Sequence, residues 1–491
     1  MTIRAAGFLA LAILTASSCM VGPNYKRPIA PAPAAFKEPP PPAFKEAEAQ
    51  GWKVSAPGDA FLKGKWWEVY RDPILNQLEE QVAISNQNVL QAQDQYLQAK
   101  AAVGQARSAL FPTVSTSPSV TASGNGGGGA SSVGTTGAIV GSASGTHTGF
   151  VLPFAASWEP DLWGSIRRSV TANKATAQAL AGDLENARLL YQSELAQDYF
   201  NLHGVDTQVE LLNHTEESYR EFLGLTRNRF NGGIASDLDV AQAESQLYGV
   251  QTSLIDLGIQ RAQLDHAIAI LIGKPPAEST IPVQLVSTLP PPVPVGLPSE
   301  LLERRPDIAA AERRVAAANE QIGIAMAAFY PSLTLSGTGG LTNSSLLRLI
   351  DWPSRFWSVG SQLAETLFDS GRRRAIVAEE RSAYDATVDT YRQTVLTAFQ
   401  QVEDNLAALR ILEEESAKNQ ETVQAADRAL KISTAQYRAG TASYLTVLTS
   451  QATLVTAQVS AVTLVERRLV ASVVLIQALG GGWDTSKLPK A

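Results

Sequence analysis

Two long segments of the chain repeat apolar residues at alternating spacings of three and four positions, which is typical of helices that pack along one face. Residues 165–230 and 372–437 contain no proline, so each segment predicts one uninterrupted helix. At 1.5 Å per residue, each helix would extend about 100 Å. Shorter helices are predicted at about residues 75–110, 236–273, 299–329 and 441–480.

The apolar spacing on the first long helix is that of a coiled-coil seam, interrupted only by Glu216 and Thr226. The seam positions are Leu202, Val205, Val209, Leu212, Glu216, Tyr219, Leu223, Thr226 and Phe230. The next helix has the same spacing from Val240 to Leu271, with Arg261 as its exception. The two helices are therefore predicted to form an antiparallel pair, and the second half of the chain repeats this pattern with smaller residues.

The chain is internally duplicated. The segment 164–273 matches the segment 371–480 at a constant offset of 207 residues. Upstream of these, Ala109–Pro112 matches Ala328–Pro331 at an offset of 219, so the first copy is 12 residues longer. Because length variation is tolerated best in surface loops, we expect a loop at the glycine-rich run 123–144 of the first copy.

Each copy also contains two short stretches in which polar and apolar residues alternate, a pattern that predicts β-strands. They lie at about residues 112–123 and 146–158 in the first copy, and at about 331–340 and 355–366 in the second. Each copy is thus predicted to contribute one hairpin. Aromatic residues near the strand ends favour a membrane barrel with an interfacial girdle, although the pattern alone leaves an ordinary soluble hairpin open.

Two hairpins supply four strands, which are too few to close a membrane barrel, since about eight is the smallest number observed. An open sheet edge in lipid would leave backbone groups without hydrogen bonds. If the strands lie in a membrane, the chain must therefore assemble with copies of itself. Three chains would supply twelve strands and a wide cylinder of helices, whereas two would leave only a narrow lumen. The number of predicted strands and helices per chain therefore favours a homotrimer.

Glycines mark the turns that join each long helix to the helix after it. Gly232 and Gly233 are predicted to form the first turn, and Gly440 the second. Ser236 and Ser443 follow these turns and are predicted to cap the next helix, because a serine hydroxyl can accept a hydrogen bond from a free N–H group at a helix start.

Three acidic residues, Asp237, Asp239 and Glu244, follow the first turn. Repeated by threefold symmetry, they would form a ring of negative charge that favours cations and binds divalent ions weakly. The alternative interpretation is that they are solvated acids at a helix start, where a negative charge complements the helix dipole. The sequence leaves both interpretations open.

The beginning of the chain resembles an export signal with a bacterial lipobox. Residues 1–18 combine Arg4, an apolar run and a group of small residues directly before Cys19. This layout predicts a signal peptide that is too short to span a membrane as a helix, followed by lipidation of Cys19 and anchoring in lipid. An ordinary signal peptide with an incidental cysteine is the alternative. Because Met20 rather than an aspartate follows the cysteine, the sorting pattern favours the outer membrane.

Proline-rich stretches separate the two copies from each other and from the beginning of the chain. We expect the following order after the signal peptide: a lipid-anchored tether at 19–64, the first copy at 65–274, a connector at 275–298, the second copy at 299–482 and a tail at 483–491.

The composition favours a structural or transport role over catalysis. Of 491 residues, 18% are charged and 45% are hydrophobic, and the net charge of -7 argues against nucleic acid as the main partner. A single cysteine excludes a disulfide framework and a cysteine-rich zinc site. With only four histidines and no recognisable catalytic constellation, we expect no catalytic residues, no metal site and no cofactor.

Three features together resemble the TolC-like outer-membrane efflux channels: the duplicated plan, the start Cys19–Pro28, and the second turn with its flanks, 437–448. The resemblance is to the lipoprotein branch that serves resistance-nodulation-division pumps. It implies a mainly α-helical chain with a membrane β-barrel: a homotrimer with a 12-stranded barrel in the outer membrane and a long periplasmic α-barrel. It also implies a periplasmic adaptor and an inner-membrane pump as partners, and a passive duct that performs no chemistry.

The resemblance further implies a constriction at the periplasmic end, near the second turn. Tyr437 and Leu445 match positions of that constriction. Thr449 and Ala452 stand where relatives of this branch carry an aspartate and an arginine, so the charged lock of those relatives is missing here.

Two other functions fit the same sequence. A duct for type I protein export would share the fold and differ in its partner, and the lipobox weakly favours drug or metal efflux over it. A periplasmic scaffold or adaptor lipoprotein would also use coiled coils, but it would normally show one helical hairpin within β-rich domains rather than two copies.

Overall fold

The computed structural model describes residues 20–31, 33, 35–39, 65–124, 146–286, 289–293, 301–483 and 488–489. The predicted signal peptide, Cys19 and the centre of the glycine-rich loop lie outside the described residues, as do parts of the tether, the connector and the tail.

Helices make up most of the described chain. They are α1 (Pro73–Ser85), α2 (Gln87–Ser108), α3 (Ser165–Asn231), α4 (Asp237–Leu271), α5 (Leu301–Arg304), α6 (Pro306–Ala327), α7 (Arg372–Arg438) and α8 (Tyr444–Ala478). The strands are β1 (Thr113–Thr116), β2 (Ser119–Gly124), β3 (Thr146–Trp158), β4 (Ser332–Asn343) and β5 (Arg355–Ala364). Within the described residues, no helix is both long enough and apolar enough to cross a membrane.

The two copies have helices of equal length, which confirms the internal duplication and the long helices. The helices α3 and α7 have 67 residues each, and α4 and α8 have 35 each. Their ends lie within a few residues of the predicted bounds. Long proline-free segments with one continuous apolar stripe therefore determine these elements directly.

The single helix predicted at the start of each copy is wrong, because each is broken into two. In the first copy Asn86 is extended (φ -65°, ψ 122°), and its side chain accepts hydrogen bonds from the N–H groups of Asn88 and Val89 at 3.0 and 3.2 Å. It thereby caps α2. In the second copy the break lies at Arg305, directly before Pro306, and proline disfavours a helical conformation in the residue that precedes it.

Both breaks are joined to the end of the last helix of their copy. Asn86 Nδ2 donates to the carbonyl oxygen of Leu271 at 2.8 Å. Arg305 Nη1 donates to the carbonyl oxygen of Ala478 at 3.0 Å. Because the two bonds join equivalent positions, the duplication extends from the elements to the contacts that close each copy.

The strands form one antiparallel sheet in the order β1-β3-β4-β5, with β2 also paired to β3. The predicted strand at 112–123 is therefore interrupted, at Ser117 and Pro118, because proline has no N–H group to donate. The register continues across the interruption, since Thr116 faces Phe154 and Ser119 faces Val151. The described sheet thus has the four strand positions that the alternation predicted, one of them in two pieces.

Large apolar side chains project from the sheet into solvent. The most exposed are Val114, Val120, Phe154, Trp357, Val359 and Leu363, whose exposed fractions range from 54% to 81%. Apolar surface of this extent on consecutive strands needs an apolar environment or another protein surface to cover it.

Contacts divide the chain into two units. The sheet unit comprises Met1–Arg27, Ala99–Ala177 and Val315–Thr387, and it contains the described strands. The helical unit comprises Pro28–Gln98, Gln178–Arg314 and Val388–Ala491.

The core of the helical unit contains most of the predicted seam. Leu202, Val205, Leu212, Tyr219, Leu223 and Thr226 are buried, whereas Phe230 at the end of α3 is 43% exposed. The polar residues that interrupt the seams have partners: Glu216 accepts a hydrogen bond from Gln251 at 2.8 Å, and Arg261 donates to Asp206 at 2.7 Å. Paired polar groups explain why these positions need not be apolar.

Candidate functional site

The candidate site lies at the two helix turns, 231–236 and 438–443, in the helical unit. Gly233 and Gly440 have positive φ angles of 71° and 76°, a conformation that glycine adopts without strain. The N–H of Ile234 donates to Arg229 at 2.8 Å, and the N–H of Thr441 donates to Gln436 at 2.9 Å. Both turns therefore close their long helix in the same way.

The two turns are brought together by one shared apolar core. Its buried members are Tyr219, Leu223, Val240, Ala243, Leu247, Tyr437, Tyr444 and Val447. They come from all four long helices, so the tips of the first and second copies pack as a single group within one chain.

Arg229 connects the end of α3 to the end of α7. Its Nη1 donates to the carbonyl oxygen of Tyr437 at 2.7 Å, and its guanidinium lies 4.4 Å from the centre of the Tyr437 ring. A cation over an aromatic ring and a charged donor on a helix C-terminal carbonyl both stabilise this contact. Arg229 was not predicted from the sequence, although a basic residue in the last turn of α3 is a signal for a helix-end contact.

The structure separates Tyr437 from the other three residues matched to the constriction. Tyr437 is only 4% exposed, and its ring lies 5.7 Å from that of Tyr444. Leu445 is 52% exposed, and Thr449 and Ala452 are also exposed. The spacing of these three residues, four and then three positions, puts them on one face of α8. Tyr437 is therefore buried within the chain, and its place in the constriction stays a prediction.

Tyr444 sits among other phenols. Burial raises the pKa of Tyr444 to about 12, and the neighbouring Tyr219, Tyr437 and Asp239 act in the same direction. Burial also raises the pKa of Tyr219. Burial therefore favours the uncharged form of Tyr444 and Tyr219 in the shared core.

The three acids after the first turn have different surroundings. Asp239 and Ser236 form a reciprocal capping box, with hydrogen bonds of 2.9 and 3.3 Å. Glu244 pairs with Arg227 at 2.6 Å, and Asp237 is exposed. Capping therefore accounts for Asp239, and the ring of negative charge stays a prediction.

The prediction that Ser443 caps α8 is wrong. Its Oγ lies 3.3 Å from the hydroxyl of Thr446 and makes no hydrogen bond to a backbone N–H at the helix start. The first copy has Asp239 at the corresponding third helical position, where a carboxylate completes the box. Threonine cannot make that reciprocal contact in the same way.

Two grooves lie beside the tips. One has a volume of about 480 Å³ and is lined by α3, α7 and α8, including Phe222, Lys431, Arg438 and Gln451. The other has about 830 Å³ and is lined by α3, α4 and α8, including Gln246, Gly249, Asp256 and Thr456. Among the described residues, no group of three or more His, Cys, Asp and Glu side chains is placed to hold a metal ion.

Comparisons with known proteins agree with this architecture. The family described as outer membrane efflux protein matches residues 78–274 and 297–481. The toluene efflux pump outer membrane protein TtgF of Pseudomonas putida is 30% identical over 485 residues, 97% of each chain. The outer membrane protein OprJ of Pseudomonas aeruginosa is 31% identical over 353 residues, 70% of this chain and 72% of OprJ. The structure of the outer-membrane channel OprN is similar with a TM-score of 0.82 and 28% identity, covering 95% of this chain and 100% of OprN.

The two segments that match the family correspond to the two copies of the duplication, and together they span most of the chain. The OprN comparison extends the likeness from sequence to fold. The chain therefore belongs to the outer membrane efflux protein family.

Proposed function

We propose that three copies of this chain form the passive outer-membrane duct of a tripartite efflux system, with a periplasmic adaptor and an inner-membrane resistance-nodulation-division pump as partners. As a member of its family the chain is an outer-membrane efflux channel and not an enzyme, so the pump would supply the energy. Relatives are named as outer membrane proteins of antibiotic and toluene efflux pumps. Small toxic molecules are therefore the substrate class that we propose.

One observation carries the proposed self-assembly: apolar residues of one copy are exposed where their counterparts, 207 residues away, are buried. Leu396 of α7 is 48% exposed, whereas its counterpart Leu189 of α3 is 8% exposed. Phe230 is 43% exposed, whereas its counterpart Tyr437 is 4% exposed. Apolar surface that is covered in one copy and uncovered in the other indicates that a second chain covers it.

A contact inside the chain suggests how the chains meet. Gly204 of α3 lies directly against the side chain of Glu466 of α8. The counterparts of these residues are Ile411 of α7 and Ile259 of α4, which are 51% and 55% exposed. If the contact between copies is repeated between chains, Ile411 of one chain meets Ile259 of the next. A ring of chains would cover both residues in every subunit.

The sheet supports the same proposal. Among the described strands, β1 and β2 lie at one edge and β5 at the other. In lipid both edges must pair, because unpaired backbone groups are costly there. Three chains joined edge to edge would combine their strand positions into a 12-stranded barrel.

We place the periplasmic aperture at the second turn. Leu445, Thr449 and Ala452 form an exposed, uncharged stripe on α8, and threefold repetition would turn this stripe into a ring. Tyr437 lies behind the stripe, where Arg229 ties it to α3. Widening the ring by moving α7 away from α3 would break this contact, so Arg229 favours the narrow state.

The first turn would add charge beside this ring. Since Asp239 caps its own helix and Glu244 pairs with Arg227, the exposed Asp237 is the acid that we propose for an attraction of cations. Weak binding of divalent cations at three such carboxylates would depend on their separation in the trimer.

The beginning of the chain carries a proposed modification and a contact with α7. We propose lipidation of Cys19, which would add a membrane anchor. Two described residues of the proposed tether contact α7 in the helical unit: Glu403 accepts hydrogen bonds from the N–H groups of Lys37 and Glu38 at 2.7 and 2.8 Å. Arg410 pairs with the Glu38 carboxylate at 2.9 Å.

Native mass spectrometry and planar-bilayer recording of the purified protein test the proposal. We expect trimers, and unitary current steps that increase severalfold in Arg229→Met because the contact with Tyr437 is lost. The matched control is Arg227→Met, which removes an arginine at the same tip but leaves the tie between the copies intact. Single subunits without current steps would contradict the proposal.

A further inference from the structure

The sheet unit contains a buried receptacle for the first described residues of the chain. Arg168 of α3, whose side chain is 1% exposed, donates from Nε to the carbonyl oxygen of Val21 at 2.7 Å and from Nη1 to that of Pro23 at 3.2 Å. The N–H of Val21 donates to the carbonyl oxygen of Trp163 at 3.1 Å. The segment is therefore held through its backbone on both sides.

Two residues of α6 complete the receptacle. Glu320, whose side chain is 8% exposed, accepts a hydrogen bond from Arg168 at 2.7 Å. Asn319 donates to the carbonyl oxygen of Pro23 at 3.2 Å and to Glu320 at 3.3 Å. The three side chains form one connected network around the bound segment.

Three glycines allow the segment to approach closely. Gly22 has a φ of 108°, and a Cβ there would lie 2.6 Å from the Cα of Gly323. A Cβ on Gly164 would lie 2.7 Å from the side chain of Met20. A Cβ on Gly323 would overlap the side chain of Arg168. A side chain at any of these positions would displace either the segment or the arginine.

The ion pair between Arg168 and Glu320 is better explained by binding of the segment than by a contribution to the stability of the fold. A buried ion pair contributes little net stability, because desolvation offsets the attraction, and apolar residues often replace such a pair without loss. Here the arginine has a second role, since it donates to two backbone carbonyl groups. The duplicated fold does not require the pair either, because Ala375 and Ala101 stand at the counterparts of Arg168 and Glu320.

The receptacle also joins the two copies. Arg168 belongs to α3, which follows β3, and Glu320 belongs to α6, which precedes β4. The strands β3 and β4 are the pair through which the hairpins of the two copies meet. Trp163 adds a second link, since its Nε1 donates to the carbonyl oxygen of Pro331 at 2.8 Å. The docked segment therefore links the backbone that follows β3 to the backbone that precedes β4.

We propose that the receptacle formed by Gly164, Arg168, Asn319, Glu320 and Gly323 is a binding site for the residues that directly follow Cys19, and that assembly of the oligomer depends on its occupation. This inference rests on the proposed lipidation, because a lipid on Cys19 would be attached next to the docked Met20. Docking would hold the residues next to the lipid at the start of α3. The same contacts would link the segments beside β3 and β4.

Trypsin cleavage between Lys26 and Arg27, read by mass spectrometry of the full-length protein in membranes, reports release of the segment. Three variants test the site. Arg168→Met removes the guanidinium donors, whereas Arg168→Lys keeps the positive charge opposite Glu320 but cannot donate to both backbone carbonyl groups. Gly22→Ala changes only the bound segment. Each is expected to be cleaved at least about tenfold faster than the wild type and to yield less oligomer that resists detergent.

The matched control is Arg314→Met, which removes an arginine paired with Asp183 outside the sheet unit. It should keep the wild-type cleavage rate. If Arg168→Met does not accumulate, Gly22→Ala decides, because it leaves the ion pair in place. Cleavage within about twofold of the control in Gly22→Ala, or wild-type cleavage and assembly in Arg168→Lys, would overturn the inference.

Palmitate labelling separates this inference from the proposed anchor. We expect the label to be retained in the three receptacle variants and lost in Cys19→Ser. An unlabelled wild type would refute the anchor and the role assigned to lipid attachment, while the cleavage rates would still decide whether the receptacle binds Val21 and Pro23. An unlabelled receptacle variant would show that the site acts before lipidation, and would overturn the assigned order.

Discussion

The two copies of the duplicated chain share their lengths and joints, but different interactions hold their tips. In both copies the long helix has 67 residues, the returning helix has 35, and a glycine with positive φ closes the turn. The first tip is capped locally by Ser236 and Asp239. The second tip has no such cap; it buries Tyr437 and Tyr444, and Arg229 of the first copy donates to the carbonyl oxygen of Tyr437.

The helix lengths are therefore the constrained part of the duplication, and the tips are the part that can diverge. Equal helix lengths and equal joints are what a ring of alternating copies requires, because unequal columns could not pack side by side. The tips need not be equal. A second tip that depends on a contact with its neighbour can move when that contact breaks, whereas a first tip that is capped locally keeps its shape.

The largest expected effect tests whether the joints, where the breaks at Asn86 and Arg305 meet the ends of α4 and α8, are equivalent. Gly273 and Gly480 have φ angles of 71° and 94°, and a Cβ on either would approach a backbone carbonyl oxygen, of Ser85 or Arg304 respectively. Alanine at either glycine should therefore destabilise its copy by more than about 3 kcal/mol. The control is Gly371→Ala, at a φ of 87° with nothing within 4 Å of the added Cβ, which should cost only about 1–2 kcal/mol. Thermal unfolding in detergent measures all three, and a harmless change at one joint alone would break the equivalence.

The next effect separates the two joints by their chemistry. Arg305 pairs with Asp307 at 2.6 Å and donates to Ala478, and its side chain is 9% exposed. Arg305→Met leaves both partners without their donor and should cost about 3 kcal/mol. Asn86→Ala removes a neutral cap and the bond to Leu271, and should cost about 1–2 kcal/mol. The same unfolding assay checks the order, and a larger loss in Asn86→Ala would contradict it.

Glu466 gives the second copy a pH-dependent contribution that the counterpart position in the first copy lacks. Burial raises the pKa of Glu466 from 4.5 to about 7, whereas its counterpart in the first copy is Ile259, which cannot titrate. Because the folded state holds this proton more tightly, the stabilising contribution is complete below pH 4.5 and is lost as the pH rises through about 7. We expect the melting temperature of the wild type to fall, relative to Glu466→Gln, between about pH 5 and about pH 8. If the melting temperatures of the wild type and Glu466→Gln changed in parallel with pH, this carboxyl group would not be buried in the assembled protein.

The smallest effects should distinguish the caps of the two tips. Ser236→Ala removes half of a capping box and should cost about 1 kcal/mol. Ser443→Ala should change stability by less than about 0.5 kcal/mol, because the hydroxyl caps no backbone N–H group. Equal losses in the two variants, measured by thermal unfolding, would show that the tips are held alike.

Part of this architecture could be predicted from the sequence because it depends on local pattern. Proline-free seams determined the long helices, and the constant offset determined the duplication. The break before Pro306 and the interruption at Pro118 also had local signals, which the apolar pattern obscured. At Asn86 the only local signal was an asparagine able to cap the next helix, and the bond that joins this break to Leu271 is distant in the sequence.

The candidate site was harder to predict, since its contacts join distant segments. Burial of Tyr437 depends on Arg229 and Tyr444, and one of these belongs to the other copy. Arg168 likewise looked like any basic residue near a helix start, because its partners lie in the first residues of the chain and in α6. Spacing along one helix cannot reveal a contact of this kind.

Crosslinking tests the central claim most directly, namely that the contact between copies inside a chain is repeated between chains. Cysteines at Ile259 and Ile411 in one chain should form disulfides between subunits under mild oxidation, giving covalent dimers and trimers on a denaturing gel. The mismatched pair Ile270→Cys with Ile411→Cys, displaced by about 16 Å along α4, and the wild type with Cys19 as its only cysteine should remain monomeric. Efficient crosslinking of the mismatched pair, or only monomers from the matched pair, would contradict the account.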